Sequence, residues 1–177
     1  MRLTRAGATA CRWLWLPVLA LSASVVSLAE TRVADSVVIA QAIDDDLYAA
    51  GGEVQIDGTV AGAATLAAGS GGIAGDVEGD VIVAGGRISL DGGVGDDLRA
   101  VGGTVEVTGF VTDLATIAGG SVTIGPGSAI GGRTWLAGGD VEMAGQVGDD
   151  LRVAAGSVVI SGRVAGDVDV AARSIRV

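Results

Sequence analysis

The chain of 177 residues is long enough for one domain with a hydrophobic core, and its 49% hydrophobic content beside 31 Gly excludes the polar Gly/Ser mix of a disordered linker. All 11 basic residues are Arg, His is absent and the formal net charge is -10. Every one of the 21 acids lies at Glu30 or beyond, so the body of the chain is too acidic to coat nucleic acid, where neutralisation of phosphate drives binding.

Residues 1–29 read as an export signal. Arg2, Arg5 and Arg12 form a basic start, an apolar stretch runs from Trp13 to about Val26, and Ser27-Leu28-Ala29 sets small residues before Glu30. An uncleaved anchor helix is the alternative: Trp13 to Ala29 is at the short limit for spanning a bilayer, and Pro17 lies inside it. Cys11 precedes the apolar stretch, whereas a lipoprotein cysteine would follow it. The chain beyond the signal has no Cys, hence no disulfide and no thiolate chemistry. The expected location is therefore periplasm, cell envelope or exterior, with membrane attachment only if the N-terminal segment is retained.

Residues 30–177 are organised by a repeat. Small pairs recur at Gly51-Gly52, Ala68-Gly69, Gly85-Gly86, Gly102-Gly103, Gly119-Gly120, Gly138-Gly139 and Ala155-Gly156, stepping by 17 residues except for one step of 19. Apolar residues keep the same frame. With Leu47, Val81, Leu98, Leu151 and Val168 as position one, position three holds Leu66, Val83, Ile117, Leu136 and Val153. Position eight holds Val54, Ile88, Val105 and Val122, position ten Ile56, Ile73, Leu90 and Ile124, and position fourteen Val60, Val77, Val94 and Val111. Val37, Ile39 and Ile43 fit positions eight, ten and fourteen of a preceding, partial coil.

Within a repeat the alternation has period two, the geometry of strands. The small pair at positions five and six and a recurrent glycine at position twelve (Gly58, Gly75, Gly92, Gly109, Gly145, Gly162) mark corners, where glycine accepts a positive φ without steric cost. Each repeat then holds three short strands and three corners, and stacking buries inward rows that one coil alone leaves exposed. The expected fold is all-β: a single-domain, three-sided parallel β-helix of about eight 17-residue coils, a rod on the order of 40 Å long, preceded by the N-terminal hydrophobic helix. The chirality of parallel crossovers favours the right-handed form. Two extra residues near Pro126-Gly127 read as a corner bulge, since proline would break a central ladder.

Runs such as GDVEGDVIVAGGRISLDGGVGDDL (Gly75 to Leu98) and SGRVAGDVDVAARSIRV (Ser161 to Val177) resemble the bactofilin, or polymer-forming cytoskeletal, family over roughly residues 35–177. The resemblance implies a right-handed parallel β-helix that assembles end to end into filaments without nucleotide. Bactofilins are typically cytoplasmic, whereas this chain reads as exported.

The acids with candidate chemistry form a column. Asp46, Asp80, Asp97, Asp150 and Asp167 fall at position seventeen and Asp45, Asp96, Asp113 and Asp149 at sixteen, along one corner where Asp accepts hydrogen bonds from turn amides. GGVGDDLRA (Gly92 to Ala100) also matches one unit of a calcium-binding β-roll, which makes Asp96, Asp97, Asp149 and Asp150 calcium candidates. A β-roll needs that unit in tandem, and the second copy has Gln146 where a glycine belongs. Pectin-cleaving β-helices are the enzyme rival, but they need long loops to build a groove, and here every connection is short. Without His there is no imidazole base, so no catalytic residue and no cofactor is assigned. Tyr48 and Trp135 at position two and Phe110 at position thirteen are outward aromatics, suited to stacking on sugars or to a partner protein.

The last coil, at Ile175-Arg176-Val177, stops midway without a polar terminal repeat, and an open strand row recruits another chain. Ile175 and Val177 are therefore the expected self-assembly interface. The expected function is a non-enzymatic scaffold that polymerises in the bacterial envelope. The alternative is a monomeric, calcium-stabilised surface module for adhesion or for binding a glycan or protein.

Overall fold

A strand whose side chains alternate can bury only one of its rows, so an apolar row repeated at a fixed interval calls for a copy of itself above and below. The computed structural model describes residues 30–177 and meets that demand with a parallel β-solenoid; the expected signal or anchor, residues 1–29, lies outside the described residues. Nine long strands stack in chain order: β1 (Glu30–Ile39), β2 (Leu47–Ile56), β3 (Ala64–Ile73), β4 (Val81–Leu90), β6 (Leu98–Val107), β8 (Ala115–Ile124), β10 (Thr134–Met143), β12 (Leu151–Ile160) and β14 (Val168–Arg176). Five two-residue strands form a second sheet: β5 (Gly93–Val94), β7 (Phe110–Val111), β9 (Ala129–Ile130), β11 (Gln146–Val147) and β13 (Arg163–Val164). Single bridges continue this second sheet toward the N-terminus through Val77, Val60 and Ile43.

Every pairing is parallel and joins equivalent positions of adjacent coils, as in Leu47 with Ala64, Ala64 with Val81 and Val81 with Leu98. The inward rows are those expected from the alternation. In β2 the burial pattern puts Leu47 and Ala49, then Val54 and Ile56, inside. Ile43, Val60, Val77, Val94, Val111, Ile130 and Val147 close the third side. Each fully buried Leu or Ile contributes about 1.5–3 kcal/mol of apolar burial.

Three details differ from the sequence expectation. The long strands number nine, because the first coil, expected as partial, pairs along its whole strand from Glu30 with Leu47 through Ala34 with Gly51 to Ile39 with Ile56. Its inward positions one and three carry Glu30 and Arg32, which pair with each other; the backbone ladder, indifferent to side chains, extends past the apolar rows. Second, the small pair does not end a strand. Each long strand bends there, and inward parity switches between positions three and eight while the ladder continues.

Third, the position-twelve glycines are not required by positive φ, since Gly127 (φ 93) is the one positive-φ glycine among the described residues. They are required by close approach of the coil below. A Cβ on Gly75 would collide with the Gly58 carbonyl, on Gly92 with that of Gly75, and on Gly109 with that of Gly92. Two consecutive amides crowd onto one carbonyl there: Asp91 and Gly92 both donate to Ile73 O, at 2.8 and 3.0 Å.

The coil of 19 residues, 115–133, absorbs its extra pair at the corner expected from Pro126-Gly127. Gly127 takes the left-handed turn, and buried Ser128 donates its hydroxyl to Gly125 O at 2.7 Å. In the next coil Thr134 occupies inward position one, where its buried Oγ1 has no hydrogen-bond partner. Gly71 occupies inward position eight, where neighbouring coils carry Val54 and Ile88.

A Cβ on Gly71 would meet Val83 Cγ2 at 3.6 Å and Ala68 Cβ at 3.9 Å, ordinary van der Waals contact. Gly71→Ala is therefore expected to raise unfolding stability by about 1 kcal/mol, by stiffening the unfolded chain and burying a methyl group. Gly92→Ala is expected to lower it by about 1–3 kcal/mol through backbone overlap. Thr134→Val, which removes an unpaired hydroxyl at constant shape, should raise it by about 1 kcal/mol. Urea unfolding midpoints of the three variants check these signs.

Candidate functional site

The acid column occupies the corner where each coil hands over to the next. At this corner the position-seventeen amides turn out of the strand ladder, and aspartates one coil below receive them. Oδ1 of Asp46 accepts from Ala63 N at 2.9 Å, that of Asp80 from Asp97 N at 3.1 Å, that of Asp97 from Leu114 N at 3.2 Å and that of Asp150 from Asp167 N at 3.0 Å. Asp76 does the same on the third side, accepting from Gly93 N at 2.9 Å. The sequence pointed to local turn amides as the donors. Asp45 follows that pattern with Asp46 N at 2.8 Å, but the column itself bonds between coils. A side chain that bonds 17 residues ahead continues the coil-to-coil ladder where the backbone leaves it.

The four calcium candidates separate into two pairs three coils apart, Asp96 with Asp97 and Asp149 with Asp150. Asp80 joins the first pair instead, and carboxylate oxygens of Asp80, Asp96 and Asp97 lie within 4.8 Å of one another. Arg99 stands over this group, with Nη2 at 2.7 Å from Asp97 Oδ2 and Nη1 at 3.5 Å from Asp80 Oδ2. The guanidinium balances the clustered charge, and Oδ1 of both Asp80 and Asp97 is committed to an amide. Arg99 was not singled out in the sequence; its place at position two, beside the corner two residues after Asp97, is the signal that locates it.

The three outward aromatics are not brought together. Phe110 lies flat on its register partner Gly93, its ring filling the space of the missing side chain, while its outer face stays exposed. Tyr48 and Trp135 share position two but stand five coils apart, on the order of 24 Å along the rod. Trp135 has its own partner: the Arg152 guanidinium of the next coil sits 5.7 Å from its ring centroid. Together with Thr116, Ala118, Ala137 and Asp169 this pair lines an open groove of about 340 Å³.

In β14, Val168 is 49% exposed and Ile175 51%, against 0–1% for Leu151 and Val158 one coil earlier. Val177, the other expected interface residue, is 95% exposed.

Asp97 makes the sharpest test of the acid column. Asp97→Ala leaves the part-buried Leu114 amide without its acceptor and is expected to cost about 1–3 kcal/mol of stability, whereas Asp97→Asn keeps an acceptor oxygen and should recover most of it. Chemical unfolding of the two variants beside the parent chain measures the difference. No family model, no curated protein and no solved structure matches this chain significantly.

Proposed function

We propose that the chain is a non-enzymatic structural protein of the bactofilin kind, exported to the bacterial envelope, where it self-assembles end to end into polymers. The observation that carries this reading is the coil-by-coil stack: every long strand pairs in parallel with equivalent positions of its neighbours over a continuous inward apolar row. A stack of that kind offers a second rod the same hydrogen-bond ladder and the same apolar row.

The non-enzymatic reading is supported by the composition and by the fate of the acids. The chain has no His, and the clustered carboxylates of Asp80 and Asp97 serve amides of the next coil and the Arg99 guanidinium. Export rests on the pattern of residues 1–29. A second reading, a monomeric surface module that binds a glycan or protein, is favoured by one feature, the groove beside Trp135 and Arg152.

Electron microscopy of the purified chain separates the two: filaments support polymerisation, isolated short rods the surface module. Ile175→Arg or Val177→Arg is expected to shift sedimentation from polymer to short species by placing a charge on the exposed apolar residues of the proposed contact. A parent chain already monomeric at the highest concentration reached overturns the proposal.

A further inference from the structure

One side of the rod is unlike the others. Its outward residues are those at positions two and four of each coil, on the first half of every long strand. Position four reads Val33, Ala50, Ala67, Ala84, Val101, Ala118, Ala137, Ala154 and Ala171, an outward row with no polar residue in any coil. Position two adds Tyr48, Ile82 and Trp135 among Thr and Arg residues. Val33, Tyr48, Ile82, Val101 and Trp135, half of the exposed large apolar side chains of the described residues, stand here.

The distribution of charge carries the inference. Of 21 acids, Asp169 alone occupies position two or four. The neighbouring side, positions seven and nine, carries Glu53, Glu106, Asp140 and Glu142, and the third side Asp44, Asp76 and Glu78. A chain of net charge -10 repels its own copies, so lateral contact between copies is least opposed across the side with the fewest carboxylates. The cations on this side are already engaged within their own chain, Arg99 by Asp97 and Asp80 and Arg152 by the Trp135 ring. What remains is apolar and close to neutral. A polyanionic surface would find no free cation row here, and a polysaccharide would find no hydrogen-bonding group along position four.

We infer that this side is the lateral contact between two copies of the chain, which pair rod against rod through positions two and four. The inference rests on the self-assembling reading above and adds a second direction of assembly to it. The extent is sufficient. Nine coils at about 4.8 Å, each five residues wide at about 3.3 Å per residue, give roughly 700 Å² per copy and roughly 1,400 Å² for the pair, within the range of specific interfaces. The near absence of acids and the aromatic side chains of Tyr48 and Trp135 agree with the composition of such contacts.

The test separates the two directions. In full-length Ile175→Arg, where the end contact is removed, sedimentation is expected to show twice the chain mass. Adding Ala84→Asp and Ala137→Asp should halve that mass, whereas Ser70→Asp and Thr104→Asp, which add the same charge on the neighbouring side, should leave it unchanged. Should the Ala→Asp pair fail to fold by circular dichroism, oxidation of Ala84→Cys in a Cys11→Ser chain must give a covalent dimer that Thr104→Cys does not give. An Ile175→Arg chain that is monomeric, or a dimer indifferent to Ala84→Asp and Ala137→Asp, overturns the inference. So does a monomer that co-sediments with phosphatidylglycerol vesicles or insoluble chitin through Trp135, which assigns the side to lipid or glycan. Long single filaments unaffected by the Ala→Asp pair sink the lateral contact alone; laterally paired rods without filaments sink only the end-to-end reading.

Discussion

The parallel backbone ladder between coils is the interaction on which everything else in this molecule depends. It requires each coil to lie in register on the last, with the strand spacing of roughly 4.8 Å leaving no room for slack. That spacing explains the glycine columns better than backbone conformation does. At position twelve two successive amides converge on one carbonyl of the coil below, and any Cβ would overlap that coil's backbone. The same requirement explains why the one coil of 19 residues keeps its strands intact. Its two extra residues leave the ladder at Pro126-Gly127 and are closed off by the Ser128 hydroxyl.

Where the backbone cannot continue the ladder, side chains do. The corner aspartates receive amides from the next coil, so the acid column forms a stack of coil-to-coil bonds. Stacking these carboxylates brings like charges together, and at the closest group, Asp80, Asp96 and Asp97, Arg99 offsets the repulsion. Acids thereby collect at corners and on two sides of the rod. The third direction, the side of positions two and four, is left nearly free of them.

A solenoid distributes function differently from a globular enzyme. Its connections are too short to enclose a cleft, so the surfaces that distinguish one copy from another are the open ends and the long sides. The alanine-rich side is continuous with the core architecture: it is an outward row without polar residues on the same strands that carry the buried rows.

The period, the inward rows and the place of the inserted corner were all legible in the order of residues. Leu47, Val54, Ile56 and Val60 and their copies are buried as the alternation requires, because side-chain parity along a strand is a local property of the backbone. The acid column was equally legible, since equal spacing places Asp80 and Asp97 on one line. What those residues touch was not legible there, because it depends on the stacking of coils. The partner amides of the aspartates, the carbonyls that exclude a Cβ at Gly92, the Phe110 ring over Gly93 and the Arg99 contact with Asp80 all join residues of different coils. Such contacts depend on how far one coil rises and slides over the next. The first coil shows the same limit: Glu30 and Arg32 break the apolar row, yet backbone pairing, which leaves no mark in the sequence, carries the strand through them.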